Sequence, residues 1–187
     1  MTIKKEMALD SPDTCIKVIF DPRDNIYNVY KKFQKTVYEA LHSTTSFDDT
    51  ARILTKLPRF LMRWTVSLLK WLDYHGWLPK ALLDVSPFHG SMIITSMGSL
   101  GIKPIYHHIY DFGNLPVFIS YGAKRTVVGV DSKGNVTKKK YVDLKVVTDE
   151  RICDGFYYAS CFKFIKRYIE NPTLLETPPE EVIPDCE

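Results

Sequence analysis

Near its C-terminal end the chain changes hydrophobic period abruptly, and that switch constrains the fold more than any other feature. From Tyr141 to Val147 the residues alternate, with Val142, Leu144 and Val146 on one side and Asp143 and Lys145 on the other. That is the two-residue period of a strand. From Phe156 to Glu170 the apolar residues Tyr158, Cys161, Phe162, Ile165, Tyr168 and Ile169 recur at helical spacing, with Lys163, Lys166 and Arg167 opposite. Between the two lies a polar corner, Thr148-Asp149-Glu150-Arg151-Ile152-Cys153-Asp154-Gly155. Side chains at a strand-to-helix corner are held by two rigid elements, which suits a reacting group. Composition alone favours a solvated corner with a carboxylate near the helix N-terminus, where the dipole favours it, and Gly155 as a hinge.

Upstream, Cys15 to Phe20 predicts a short strand, and Asp24 is the expected N-cap of a helix carrying Ile26, Val29, Tyr30, Phe33, Val37, Ala40 and Leu41 on one face. After a loop at Ser43 to Ser46, Asp48 or Asp49 can cap a second helix. Its apolar stripe, Ile53, Leu54, Leu57, Phe60, Leu61, Trp64, Leu68, Trp71 and Leu72, is widened by Met62, Val66 and Leu69. Such a helix must be covered on several sides, by core, by a partner subunit or by a membrane surface. Pro58 kinks or splits it. Gly76 and Pro79 end it, and one more turn follows at Lys80 to Asp84.

From Phe88 onward strands dominate. Met92 to Thr95 reads as buried, and the run Ser96-Met97-Gly98-Ser99-Leu100-Gly101 follows it. Ile105 to Ile109 and Val117 to Tyr121 read as extended. Asp131-Ser132-Lys133-Gly134-Asn135 is a hairpin signal between Arg125 to Val130 and Val136 to Val147. Asn171-Pro172 stops the last helix, and the tail Thr177 to Glu187 is expected to be loose. The order predicts an α+β fold, a single domain over 1–187 with its core at about 15–178, and helices packed on one mainly antiparallel sheet.

With 187 residues, 45% hydrophobic and 25% charged, the chain is long enough to bury a core. A net charge of +3 gives no case for nucleic acid. Cys15, Cys153, Cys161 and Cys186 follow no metal-ligand pattern, so no metal site is expected; reduced thiols and a cytoplasmic location are. No apolar run follows the first lysines, so no signal peptide is expected, and Phe60 to Leu72 is too short to span a bilayer. Lys138-Lys139-Lys140 could touch phosphate or guard an edge strand. There is no P-loop and no dinucleotide fingerprint.

Three ordered segments carry a resemblance: Ser96-Met97-Gly98-Ser99-Leu100-Gly101, the corner Asp149-Glu150-Arg151-Ile152-Cys153-Asp154-Gly155, and Tyr168-Ile169-Glu170-Asn171-Pro172. Together, over about Cys15 to Pro178, they resemble the catalytic domain of the dihydrolipoamide acyltransferases of 2-oxo acid dehydrogenase complexes. That family shares its fold with chloramphenicol acetyltransferase, and Cys153-Asp154-Gly155-Phe156 looks like the corresponding run there. The resemblance implies a homotrimer with sites between subunits. In the family a thiol, coenzyme A or dihydrolipoamide, attacks an acyl thioester, so these are the implied substrates, with no covalently bound cofactor. The signature Asp-His-Arg-x-x-Asp-Gly supplies a His general base, and a Ser or Thr hydroxyl binds the tetrahedral oxyanion. Carried over, the hydroxyl is Thr95, or Ser96 if the register slips by one. Asp154 is the Asp that locks the corner, and Arg151 matches the family Arg.

Glu150 stands in the His position. A carboxylate near pKa 4.3 is about two units less basic than an imidazole near 6.5. Burial, or the like charge of Asp154, would raise its basicity, and Arg151 would oppose that. His89 is the candidate substitute base. His107 and His108 are expected in a strand with opposed side chains, and His42 and His75 at helix ends or surfaces. Tyr106, Tyr110 and Phe112 could line a pantetheine channel or pack in the core. Set against the family pattern, the chain is expected to be short at its N-terminus, with neither lipoyl domain nor subunit-binding segment. Two readings follow: an acyltransferase of impaired or altered chemistry, and a non-catalytic structural or regulatory subunit.

Overall fold

A computed structural model describes residues 1–4, 13–43 and 56–182. The expected loop at Ser43 to Ser46 is described only at Ser43, which caps the preceding helix. The cap at Asp48 or Asp49, Ile53 and Leu54 of the apolar stripe, Cys186 and the end of the tail lie outside the described residues. Helices and small sheets form an α+β arrangement, and contacts divide the chain into two compact units.

One unit comprises residues 88–152 together with Met1. Its three-stranded sheet has the order β3-β4-β7, from β3 (Ile93–Ser96), β4 (Val117–Tyr121) and β7 (Leu144–Thr148). β4 runs parallel to β3, with Thr95 opposite Ser120, and antiparallel to β7, with Val117 opposite Thr148. Phe118 and Ser120 of β4 are buried on one face. β5 (Arg125–Val130) and β6 (Val136–Tyr141) form a separate antiparallel ribbon. The turn between them is the one read from the sequence. The Asp131 carboxylate accepts from the amides of Lys133 (2.8 Å) and Asn135 (2.9 Å), and Gly134 takes φ +83.

Several expectations are corrected here. The sheet is not a single mainly antiparallel one: three small sheets are present among the described residues, and the β3–β4 pair is parallel. Val136 to Val147 is not continuous. The chain leaves β5 after Tyr141 and joins β4 at Leu144, so it must bend at Val142-Asp143. Arg125 secures the bend through two hydrogen bonds to the Asp143 carboxylate, at 2.7 and 2.9 Å. Residues 105–109 form no ladder. The Ile105 amide donates to the Ser120 hydroxyl (3.3 Å), and His107 stacks on Phe118, so this segment lies over the sheet rather than in it.

The other unit comprises residues 2–87 and 153–187. β1 (Thr2–Lys4) pairs with β2 (Asp13–Cys15), so the predicted strand at Cys15 to Phe20 begins and ends earlier than expected. β1 is three residues long and offers no ladder beyond Cys15. α1 (Ile26–His42) is capped by Asn25, whose side chain accepts from the Asn28 amide at 3.0 Å. Asp24, the expected cap, instead accepts from the Asp21 amide and pairs with Lys32. α2 (Arg59–Tyr74) starts immediately after Pro58, which therefore opens this helix, and Gly76 (φ +68) follows its end. α3 (Lys80–Val85) is the additional turn, and Lys17 donates to its carbonyls at Leu83 (2.6 Å) and to Ser86 (3.3 Å).

α4 (Gly155–Glu170) ends before Asn171-Pro172 as anticipated. Its expected buried face is only partly covered. Tyr158 is buried, whereas Phe162, Ile165, Tyr168 and Ile169 are exposed. α2, expected to be covered on several sides, buries none of its residues.

Candidate active site

The corner after β7 is built by one carboxylate. The Asp149 amide donates to the Pro116 carbonyl (2.9 Å), which continues the β4–β7 alignment by one residue. Its carboxylate then accepts from the Arg151 amide (3.0 Å), from Nε (2.9 and 3.0 Å) and from a terminal guanidinium nitrogen (2.6 Å). The Ile152 amide closes the turn onto the Asp149 carbonyl at 3.1 Å. Hydrogen bonds from the Arg151 side chain, and next from its amide, hold the Asp149 carboxyl below the ordinary range. Arg151 is thus engaged inside its own turn.

Asp154 is also committed. Its carboxylate accepts from the Tyr157 amide at 2.8 Å and caps α4. A free amide at a helix start needs such an acceptor, and Asp is among the best residues for it. Glu150 is exposed and forms no hydrogen bond or ion pair among the described residues.

Thr95 and Ser96 end β3, and both are half-buried. Their hydroxyls form no hydrogen bond among the described residues, so both are available to a ligand. The glycine run then makes a 3-10 turn, Gly98–Leu100, and Gly101 takes φ +70. The Met97 amide donates to the Tyr121 carbonyl (2.8 Å), and a Cβ on Gly98 would lie 3.5 Å from the Gly122 carbonyl oxygen. Glycine is needed more strictly at Gly122, where a Cβ would stand 2.5 Å from Pro104 Cδ.

Within one chain Thr95 and Glu150 are not together. Thr95 is level with Ser120 and Thr148 with Val117, on strands either side of β4. That separates Thr95 and Thr148 by ~10 Å along the sheet and ~10 Å across it, and Glu150 lies beyond Thr148. The two groups meet only if two copies bring them together.

Of the histidines, His89 is buried with its ring edge-on to Phe112 (5.4 Å between centroids), which removes it from solvent. His107, expected in a strand, lies in the covering segment instead; burial first, and His108 second, push its pKa down. His42 and His75 stand at helix ends. Tyr110 and Phe112 pack around Phe88, whereas Tyr106 is exposed with the Lys145 ammonium 4.2 Å from its ring centre. Sequence reasoning gave Asp149 no individual role, although an Asp two residues before an Arg at a strand end is the signal for such a clamp. Among the described residues no cluster of His, Cys, Asp or Glu could hold a metal.

Comparison with known families gives one match. The family model for the catalytic domain of the 2-oxoacid dehydrogenases acyltransferases matches residues 83–177, just over half of the chain. The match begins within α3 and takes in all of β3 to α4. No curated protein matches the chain. By the extent of the family match, this chain belongs to the 2-oxoacid dehydrogenase acyltransferases through their catalytic domain.

Proposed function

We propose that the chain moves an acyl group between thioesters of thiols such as coenzyme A or dihydrolipoamide, slowly, at a site shared between copies of a trimer. The observation that carries this reading is the pattern of engagement at the corner. Asp149 and Arg151 satisfy one another and Asp154 caps a helix, so Glu150 is the corner carboxylate left to meet a substrate. Glu150 takes the proton of the attacking thiol, and the thiolate adds to the acyl carbonyl. The Thr95 hydroxyl, or that of Ser96, donates to the resulting oxyanion. Collapse expels the other thiolate, which recovers the proton from Glu150. Cys153 and Cys161, which form no disulfide among the described residues, suit a reducing cytoplasm.

Glu150 standing in water favours a second reading, a non-catalytic subunit that keeps the fold and its oligomer surface. A transfer assay with acetyl-CoA and dihydrolipoamide separates the two. Transfer above the buffer rate, reduced about 10²-fold or more in Thr95→Ala and raised in Glu150→His, supports the enzyme. A rate equal to buffer in both the native chain and Glu150→His overturns it and leaves the structural subunit.

A further inference from the structure

We propose that the outward face of α2 docks on an anionic lipid surface, with its aromatic stripe in the interface and its basic stripe against the headgroups. α2 turns Met62, Thr65, Leu69 and Leu72 inward, where they are half-buried. A second apolar stripe points the other way. Phe60, Trp64, Leu68 and Trp71 follow one another at helical spacing, and Phe60 and Trp64 are 70% and 77% exposed. A helix that only needed a core would not place tryptophan and phenylalanine in water. Beside this stripe run Arg59, Arg63 and Lys70, all exposed and without an ion pair among the described residues.

The helix carries one acid, Asp73, and it lies on the inward side. At the C-terminal end Trp77 is 63% exposed and packs edge-on to Trp71, with centroids 5.4 Å apart. Aromatic residues on one side and arginine and lysine along its border are what a helix lying in a headgroup layer requires. No described helix is long and apolar enough to cross a membrane, so the placement is on the surface.

Charge complementarity points to an anionic occupant: Arg59, Arg63 and Lys70 are exposed along this side of the helix, and its one acid, Asp73, lies at the far end and on the inward side. An anionic surface supplies the opposite charge. α2 also lies outside the residues matched by the acyltransferase family, so this inference is independent of the proposed reaction.

The chain carries its own reporter, since Trp64, Trp71 and Trp77 are its three tryptophans. Intrinsic emission of the full chain is followed as phosphatidylcholine vesicles with about a third phosphatidylserine are added. The expected result is a shift to shorter wavelength and co-flotation, with binding about tenfold or more weaker to phosphatidylcholine alone. Added salt weakens it, and Arg63→Glu with Lys70→Glu lowers partitioning about tenfold or more. Both residues are exposed, and an unchanged far-ultraviolet spectrum confirms that the variant is folded. The comparison of vesicle types needs no variant at all. No shift and no flotation with the anionic vesicles overturns the proposal, as does equal binding to both types. Short-wavelength emission without lipid that reverts on dilution assigns the face to a second copy and overturns it too.

Discussion

At Asp149 one side chain sets the shape of the corner, and it does so through hydrogen bonds that need its charge. Its carboxyl is held below the ordinary range, by the Arg151 side chain first. Its contribution to stability is therefore complete above the unfolded value, about 3.9, and is lost as pH falls through the lower folded value. Asp149→Asn should flatten the acid side of a stability-against-pH curve measured by urea unfolding, and leave neutral stability lower by on the order of 1 kcal/mol. Gly122 gives a second prediction. Gly122→Ala places a methyl 2.5 Å from Pro104 Cδ and 2.8 Å from its nitrogen, neither of which is the end of a flexible chain. The expected loss is about 1–3 kcal/mol by thermal unfolding. The importance of Gly122 was not legible in the sequence, because its constraint comes from Pro104, which only the fold brings near. The crowding of charge at 149–154 was legible; its division into a clamp, a cap and one unengaged carboxylate was not, since that depends on which amides face which oxygens.

The elements themselves were read best where local chemistry decides them. The β5–β6 hairpin needed only Asp131, Gly134 and Asn135, all within one turn, and α4 needed only its period, Asp154 and Asn171-Pro172. Capping by Asp154 can be tested apart from any chemistry. Asp154→Ala should cost about 1 kcal/mol in thermal unfolding, and Asp154→Ser should recover most of it, because a serine hydroxyl accepts from the same amide. Elements that depend on distant partners were misread. Residues 105–109 have the composition of a strand, yet the β4 edges are taken by β3 and β7. The single long strand failed for the converse reason, since its two halves serve different sheets. The cap of α1 slipped from Asp24 to Asn25 because Asp24 was already occupied by the Asp21 amide and Lys32.

For the whole molecule, the separation of Thr95 from Glu150 within a chain makes the proposed chemistry a property of the assembly. Mixing Thr95→Ala and Glu150→Ala chains, each inactive alone, should restore transfer at about a quarter of the native rate if they exchange at random in a cyclic trimer. A mixture as silent as its components would place any site within one copy. Light scattering on the same samples gives the mass of the assembly directly. The parallel pairing of β3 with β4 and the antiparallel pairing of β4 with β7 join segments far apart in sequence, and the hairpin bears on how such pairings are reached. Once Asp131 has closed its turn and β5 lies beside β6, Tyr121 and Leu144 are separated only by residues 122–124 and 142–143. The long excursion between β4 and β7 then behaves as a short one, with much less chain entropy left to lose. Disrupting the turn, by Gly134→Val for instance, should therefore slow refolding more than it hastens unfolding: the ribbon acts as a zipper for the sheet that bears Thr95.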